Sequence, residues 1–201
     1  ESSWAGGGIV SPLYPWRYAP AVTALAGWSQ DFYPRLARQL FAQTGIDPEV
    51  HDTGLYWLDL EDEQRALDWA CQHGYPLKRT EMHQVRSVLP GLGMGFERAL
   101  FMPGLANVRN PRLVKALRAA LRQLPNVQVR ENCAVRGFLR EDSRIRGVLT
   151  EQGEIRADQV VLAAGAWSGE LLKSLGLDLP VRPVKGQMIL YRCAKDFLPA
   201  M

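Results

Sequence analysis

The sequence predicts an α/β fold that holds a ligand at the junction between a buried strand and a helix. An apolar, β-branched run that begins after Asp158 ends in Gly165 and passes directly into a helical pattern. In open α/β sheets, ligands bind at the carboxyl ends of strands, where glycine lets the backbone approach them closely. The strand–GxGxxG–helix unit that usually anchors a dinucleotide is absent from the chain. Together these observations predict part of a site for a nucleotide-type cofactor.

Apolar residues at spacings of three and four predict a series of amphipathic helices. The longest covers residues 19–44, where Pro34 should kink or split it and Gly45 should end it. Another begins at Asn110-Pro111, with Asn110 as N-cap. Its expected buried stripe consists of Leu113, Val114, Leu117, Leu121 and Leu124. Shorter helices are predicted at residues 61–73, at residues 80–89 with Thr80 as cap, and between Gly165 and Leu175.

Strands are predicted where β-branched and aromatic residues form short runs between turn signals. They lie at residues 55–60, 96–102, 127–130, 134–139, 144–150, 154–156 and 181–191, and in the run that ends at Gly165. The repeat Gly91-x-Gly93-x-Gly95 has no strand before it and no helix after it. It therefore predicts a turn rather than a dinucleotide fingerprint.

Composition excludes several classes of protein. The 201 residues are 47% hydrophobic and 22% charged, as in a globular chain with one large domain or two small ones. No apolar run approaches the ~20 residues that a bilayer crossing needs, and no signal segment opens the chain, so no membrane partner is expected. Three cysteines without framework spacing, Cys71, Cys133 and Cys193, predict reduced thiols and a cytoplasmic location.

Neither the positive charge nor the histidines predict a further site. The net charge of +3 comes with arginines between residues 109 and 146 that alternate with apolar residues. Aromatic residues that could stack on bases are missing there, so no nucleic acid is expected as a partner. His51, His73 and His83 belong to no ligand cluster, and no metal site is predicted. No Ser/His/Asp or P-loop signal appears.

The chain opens on a glycine-rich segment, Ser2-Ser-Trp-Ala-Gly-Gly-Gly-Ile-Val-Ser-Pro12. Three consecutive glycines suit a backbone that lies against a ligand and offers it N–H groups. A flexible linker is the alternative, but Trp4, Ile9 and Val10 are poor linker residues. We therefore favour an ordered loop that contacts a ligand.

Four segments together resemble a known family. They are the opening segment, Asn110-Pro111, Val160-Val-Leu-Ala-Ala-Gly-Ala-Trp-Ser168 and Pro183-Val-Lys-Gly-Gln187. Over essentially all 201 residues the chain resembles the D-amino-acid oxidase superfamily of flavoproteins, and within it the glycine oxidases of thiamine (thiazole) biosynthesis. That family has GxGxxG and a ribose-binding acidic residue upstream of the match to Ser2, and substrate-binding Tyr and Arg residues further downstream. The chain is therefore expected to be an internal fragment.

The resemblance implies two interleaved domains, both incomplete in this chain. An FAD/NAD(P)-binding Rossmann-like domain is expected at residues 1–45 and 104–178. An antiparallel-sheet (α+β) substrate-binding domain is expected at residues 46–103 and 179–201.

The resemblance also implies which residues bind FAD. They are Ser2, Ser3, Ala5, Gly6, Gly7, Gly8, Ile9, Val135, Ala164, Gly165 and Trp167. The serine hydroxyls would face the ribityl–pyrophosphate region, the amides of residues 5–8 the isoalloxazine, and Ile9 its substrate side. The backbone of Val135 would meet the adenine, and the last three residues would line FAD from the other side. The alternatives are turn geometry for the glycines and core packing for Val135 and Trp167. Lys185 is expected to point to solvent, and no catalytic residue is assigned.

The implied activity is the FAD-dependent oxidation of a small amino acid. Glycine or a small secondary amine such as sarcosine would pass a hydride to flavin N5, and molecular oxygen would reoxidise the flavin with release of peroxide. An amino-acid dehydrogenase with another electron acceptor and a non-catalytic binding module on the same fold are the alternatives. Substrate preference and a homo-oligomeric state stay open. Because the pyrophosphate-binding helix N-terminus is missing, the fragment alone is expected to bind little or no FAD and to be inactive.

Overall fold

A computed structural model of the chain describes residues 2–189, which fold as two compact units. The first unit contains residues 2–125 and 188–189, and the second contains residues 126–187. Both combine helix with small antiparallel sheet, which is consistent with the mixed α/β class that the sequence predicts. None of the described helices has the length and hydrophobicity that a bilayer crossing requires.

The helices and strands are short except for one helix in the first unit. The strands of that unit are β1 (Ile9–Val10), β2 (His51–Asp52), β3 (Leu55–Leu58), β4 (Lys78–Thr80), β5 (Ala99–Met102) and β6 (Ala106–Asn107). Its helices are α1 (Pro20–Thr44), α2 (Glu63–His73), α3 (Met82–Val88) and α4 (Asn110–Arg122). The second unit contains β7 (Val135–Glu141), β8 (Arg144–Thr150), β9 (Gly153–Arg156) and α5 (Ser168–Lys173).

The long helix α1 confirms the helix predicted at residues 19–44. It begins with Pro20 in its first turn, where the missing N–H leaves no hydrogen bond unmade. It ends at Gly45, whose left-handed backbone (φ 71°) directs its N–H to the Phe41 carbonyl. Pro34 lies inside the helix without splitting it.

One small sheet of the first unit supports the glycine-rich segment. Its order is β1-β6-β2, with Ile9 opposite Asn107 and Asn107 opposite His51. Side chains on one face of this sheet pack against α1 and α4. This cluster consists of Val10, Leu40, Ala106, Val108, Leu113 and Ala116. The end of β1 is thereby fixed to two helices.

A second sheet carries a larger buried core. Its order is β3-β5-β4, with Leu55 opposite Met102 and Lys78 opposite Phe101. The core consists of Trp16, Leu55, Trp57, Leu60, Ala66, Leu100, Met102 and Leu105. Because Ala66 belongs to α2, this helix packs on the sheet.

The second unit is a meander of neighbouring strands followed by a short helix. β7 pairs with β8 and β8 pairs with β9, all antiparallel. Asp142 lies between the first two strands in the left-handed region (φ 54°), and Gly153 opens β9 with φ 114°. Within residues 126–187 no hydrophobic side chain is buried. Backbone pairing therefore organises this unit.

Three of the predicted strands are wrong within the described residues. The run that ends at Gly165 contains no strand, and its Val161 is 87% exposed. Residues 127–130 and 181–189 also lie outside any strand, while residues 190–191 of the last prediction fall outside the described residues. A strand needs a neighbour for its backbone N–H and C=O groups, and no described segment supplies one to these runs.

Helix α4 is present where it was predicted, but the prediction of Asn110 as its N-cap is wrong and the helix buries a different stripe. Arg109 is at its N-cap position and Asn110 is its first residue. The side of α4 that contacts α1 and the first sheet carries Leu113, Ala116 and Ala120. The predicted stripe was wrong in its second half, since Leu117, Leu121 and Leu124 are 37%, 39% and 42% exposed.

Residues 80–89, predicted as one helix, divide between two elements. Thr80 is the last residue of β4, and α3 begins at Met82 with Glu81 at its N-cap position. β4 has no periodic pattern of its own, because it forms by pairing with β5.

Candidate functional site

The glycine-rich loop, residues 2–8, leads into β1 at the surface of the first unit. Residues 2–5 form a turn, and Ser2, Ser3 and Ala5 are exposed. Along β1 the side chains alternate, so Val10 is buried while Ile9 faces outward. The strand thus anchors the loop and presents Ile9 beside it.

Close packing of the backbone requires glycine at Gly8, whereas Gly6 lies against the end of a side chain. Gly8 has φ 75°, in the left-handed region that favours glycine, and its carbonyl accepts a hydrogen bond from the Val108 amide at 2.7 Å. A Cβ at Gly8 would overlap the Val108 carbonyl oxygen. A Cβ at Gly6 would lie 2.5 Å from Nδ2 of Asn110. The loop is therefore held against the end of β6 and the start of α4.

Gly7 is different, because nothing in the described structure requires a glycine there. A Cβ at Gly7 would meet only Cε of Met188, at 3.7 Å, which is an ordinary contact. The amides of Gly7 and Gly8 donate to no acceptor within residues 2–189. They lie beside a surface cavity of about 350 Å³ that Ser29 and Tyr33 of α1 also line. The loop therefore offers N–H donors to a ligand, as the edge of a flavin ring requires.

A second cavity, of about 500 Å³, lies on the outward side of the β1-β6-β2 sheet. Ile9, Asn107 and His51 line it from the three adjacent strands. At its edge the Glu49 carboxylate pairs with Nη1 of Arg109 at 3.2 Å and with Nε of Arg112 at 3.1 Å. Sequence reasoning missed these polar residues, because strands of two residues carry no periodic signal.

The remaining predicted FAD-binding residues lie in the second unit. Val135 is the first residue of β7, opposite Thr150. Gly165 (φ 54°) opens a 3-10 helix, and the Trp167 amide donates to the Ala164 carbonyl at 3.1 Å. The side chains of Val135 and Trp167 are both exposed, so neither fills a core within the described residues. The structure thus groups the predicted residues up to Ile9 in one unit and these four in the other. Their joint role in one site stays a prediction.

A charged cluster fixes the segment that follows the loop. The carboxylate of Asp62 accepts hydrogen bonds from Nη2 of Arg17 at 2.6 Å and from Nε1 of Trp16 at 2.8 Å. The Arg17 guanidinium, helped by Trp16, lowers the pKa of Asp62 from 3.8 to about 2. Asp62 also occupies the N-cap position of α2, so the cluster ties this segment to that helix.

Two other features of the described residues bear on chemistry. Lys185 is exposed, as predicted. Within residues 2–189, no group of three or more His, Cys, Asp or Glu residues is placed to hold a metal ion.

Comparison with known proteins gives this geometry a context. The chain matches the DAO family of FAD dependent oxidoreductases over residues 1–200. It is 65% identical over all 201 residues to the glycine oxidase of Pseudomonas putida, of which it covers 55%. It is 31% identical over 194 residues to a bifunctional ThiO/ThiG protein of a Nostoc species, a match that covers 94% of this chain and 28% of that protein.

A solved structure agrees with these sequence matches. The chain is similar to glycine oxidase from Geobacillus kaustophilus, with a TM-score of 0.77 and 28% identity, over 88% of this chain and 49% of that one. The chain thus spans about half the length of the glycine oxidases it matches. This similarity confirms the predicted fold class. The amides of Gly7 and Gly8, which have no described acceptor, fit a flavin. Because the family match extends over almost every residue, the chain belongs to the family of FAD dependent oxidoreductases.

Proposed function

We propose that this chain supplies flavin-binding parts of a glycine oxidase. The substrate would be glycine or a small secondary amine such as sarcosine, and molecular oxygen would accept the electrons. The observation that carries the proposal is the 65% identity to the Pseudomonas putida glycine oxidase along all 201 residues. Similarity to a bifunctional ThiO/ThiG protein supports a place for the reaction in thiamine (thiazole) biosynthesis.

The glycine-rich loop would provide the contacts to the cofactor's reactive ring. FAD supplies the hydride acceptor at flavin N5 and, on reoxidation by oxygen, the release of peroxide. Backbone donors in fixed positions stabilise developing negative charge without reorganising. The amides of Gly7 and Gly8 suit this role, since no described residue accepts a hydrogen bond from them. Ile9, facing outward next to them, would pack on the substrate side of the ring.

Other parts of the chain would bind the rest of the cofactor. The exposed hydroxyls of Ser2 and Ser3 would bind the ribityl–pyrophosphate region, with Ala5 and Gly6 completing the loop. The second-unit residues assigned to FAD are Val135, Ala164, Gly165 and Trp167. Exposure of Trp167 supports its assignment, because this side chain is available to a ligand.

The domain organisation forms part of the same proposal. Residues 1–45 and 104–178 would belong to the FAD-binding domain, and residues 46–103 and 179–201 to the substrate-binding domain. The loop and its supports on α4 fall within the first set. No general acid or base is assigned, since positioning and desolvation of the amine carry the catalysis in this reaction class.

The test uses the protein that carries this chain, at its natural length. We expect FAD to copurify with it and peroxide to be released when glycine and oxygen are added, as measured with a peroxidase-coupled assay. Gly7→Val should lower the FAD content while the thermal midpoint of the FAD-free protein stays unchanged, because the described structure leaves room for the side chain. Gly93→Val, in an exposed loop with nothing within 4 Å, is the matched control and should keep its FAD.

Two results would replace the proposal. A flavin-containing protein that transfers electrons from glycine to an artificial dye, and does not transfer them to oxygen, would be an amino-acid dehydrogenase. A colourless protein that is inert with amino acids would be a non-catalytic binding module on the same fold.

The 201-residue chain by itself should behave differently. It contains no GxGxxG segment to open a pyrophosphate-binding helix, so we expect little or no FAD binding and no oxidase activity. Flavin titration followed by fluorescence measures this directly. Stoichiometric flavin copurifying with the 201 residues would contradict it.

A further inference from the structure

A cavity of about 670 Å³ lies between α1 and the segment that follows α2. It uses a different face of α1 from the one beside the glycine-rich loop, since Gly27 and Asp31 line it whereas Ser29 and Tyr33 line the loop cavity. Met102 is among the residues that line it and is 1% exposed, so the cavity reaches down to the core. We call it the aromatic cavity.

One wall of the aromatic cavity is a fixed group of aromatic rings. The ring of Trp69 stacks on His73 at a centroid distance of 4.7 Å and contacts Tyr75 at the same distance. Nδ1 of His73 donates a hydrogen bond to the Trp69 carbonyl at 2.8 Å. Trp69 and Tyr75 also pack against the core around Leu100. The wall is therefore held in place without a ligand.

The opposite wall is formed by α1, which contributes two small residues to it, Ala24 and Gly27. Ala24, Gly27 and Asp31 recur at helical spacing along this side. Glycine within a helix is less favourable than alanine, yet neither backbone strain nor close packing requires it at Gly27. A Cβ there would lie 3.5 Å from the Tyr75 hydroxyl, an ordinary contact. The effect of Gly27 is to leave space in front of Tyr75.

The cavity carries one carboxylate without a counter-charge. Among the described residues that line it, Asp31 is the single acidic one. The position four residues on in the helix holds Arg35, but its guanidinium lies over the Phe32 ring, 5.3 Å from the centroid. Within residues 2–189 no ion pair to Asp31 is formed. His73 is the other described residue of the lining that can carry a charge. Its Nδ1 donates a hydrogen bond to the Trp69 carbonyl.

We propose that the aromatic cavity binds an organic cation, an ammonium group attached to an aromatic body. The ammonium would pair with Asp31, and the body would lie against Trp69, Tyr75 and the exposed ring of Trp28. Aromatic faces attract cations, and a carboxylate next to them adds charge complementarity. The volume of the cavity is within the range of ligand pockets of roughly 300–1,000 Å³. This site does not depend on the proposed oxidase function.

Calorimetric titration of the protein that carries this chain, at its natural length, with phenethylammonium tests the proposal. The alcohol 2-phenylethanol is the neutral probe of similar shape, and 3-phenylpropionate is the anionic one. We expect saturable binding of phenethylammonium, binding of the alcohol weaker by about tenfold, and no detectable binding of the anion. Equal binding of all three probes, or none of the ammonium, would overturn the proposal.

Substitutions locate the binding. Asp31→Asn should weaken phenethylammonium by about tenfold and leave the alcohol unchanged, since only the ion pair is lost. Gly27→Leu should abolish binding of both by filling the cavity, with circular dichroism to show that α1 is retained. Asp68→Asn removes a carboxylate of α2 that does not line the cavity and should change nothing. If Asp31→Asn binds phenethylammonium as tightly as the unmodified chain, the site is not the aromatic cavity.

Discussion

The two units of the chain are stabilised in different ways. The first unit contains three clusters of buried hydrophobic side chains, and Leu100, Met102 and Leu105 are each 1% exposed. The second unit, residues 126–187, buries no hydrophobic side chain, and its strands β7, β8 and β9 follow one another in both sequence and sheet. In the first unit, strands that pair can be distant in sequence, as Ile9 and Asn107 are.

This difference indicates that a sheet can be stabilised in two ways, by burial of apolar side chains or by backbone pairing of strands that are adjacent in sequence. Bringing distant segments together costs loop-closure entropy, which the first unit offsets by burying apolar surface. Adjacent strands in the second unit close short turns, so they need less burial to pair. The first unit should therefore respond strongly to loss of core side chains, and the second should not.

The largest effect is expected from a core deletion in the first unit. Leu100→Ala removes a side chain that is 1% exposed in the core of β3, β4 and β5, and should lower the free energy of unfolding by about 2–5 kcal/mol. Leu149→Ala in β8, where the leucine is 39% exposed, should cost less than about 1 kcal/mol. Urea denaturation followed by circular dichroism measures both. Similar losses for the two variants would show that the units do not differ in this way.

A backbone change at the loop should have the next largest effect. Gly8→Ala forces a positive φ on alanine and overlaps the Val108 carbonyl, so we expect destabilisation of about 1–3 kcal/mol. Gly7→Ala is the matched control and should change stability by less than about 0.5 kcal/mol. Thermal unfolding followed by tryptophan fluorescence distinguishes the two. A neutral Gly8→Ala would mean that β1 can shift away from Val108.

A smaller effect is expected from the Asp62 cluster, and it should depend on pH. The folded-state pKa of about 2 lies below the ordinary 3.8, so the charged carboxylate stabilises the fold above pH 3.8 and this stabilisation is lost as the pH falls towards 2. Asp62→Asn should lower the free energy of unfolding at neutral pH by about 1 kcal/mol or less, as expected for a solvent-screened pair. The difference between the variant and the unmodified chain should disappear between pH 4 and pH 2. A difference that is constant over that range would exclude charge as its source.

The smallest effect is expected from the ion pairs of the second unit. Glu141 pairs with Arg156 at 2.8 Å and with Arg146 at 3.5 Å, and its pKa is lowered chiefly by the hydrogen bond from Arg156. All three side chains are well exposed to solvent, so screening leaves little net energy in the pairs. Glu141→Gln should leave the thermal midpoint unchanged at low and at high salt. A measurable, salt-dependent decrease would show that this unit relies on charge where the first relies on burial.

Elements with local signals were predicted well from the sequence. The spacing of apolar residues and the final Gly45 identify α1, and short runs between turn signals identify β7, β8 and β9. The two-residue strands β2 and β6 were not predicted, because they exist only through pairing with distant segments. The run that ends at Gly165 was predicted as a strand from its β-branched residues, but no described segment pairs with it.

The candidate site divides in the same manner. Three consecutive glycines mark the loop in the sequence, and a resemblance to flavoproteins suggests what it contacts. No short stretch of sequence indicates that Gly6 lies against Asn110 or that Gly8 accepts a hydrogen bond from Val108. These contacts join residues that are about 100 positions apart in the chain. The aromatic cavity was likewise unpredictable, since it combines residues of α1 with rings from α2 and from the segment that follows it.

The unpaired apolar run before Gly165 also bears on how the chain behaves at high concentration. Val160, Val161 and Leu162 combine strong β-propensity with the absence of any described backbone partner. Such a segment is a template for pairing with the same segment of another molecule, which leads to aggregation. We expect turbidity of the 201-residue chain to rise with concentration and to be suppressed by Val161→Lys, which introduces a charge at an 87% exposed position. If so, a segment outside every described helix and strand would limit the solubility of the chain.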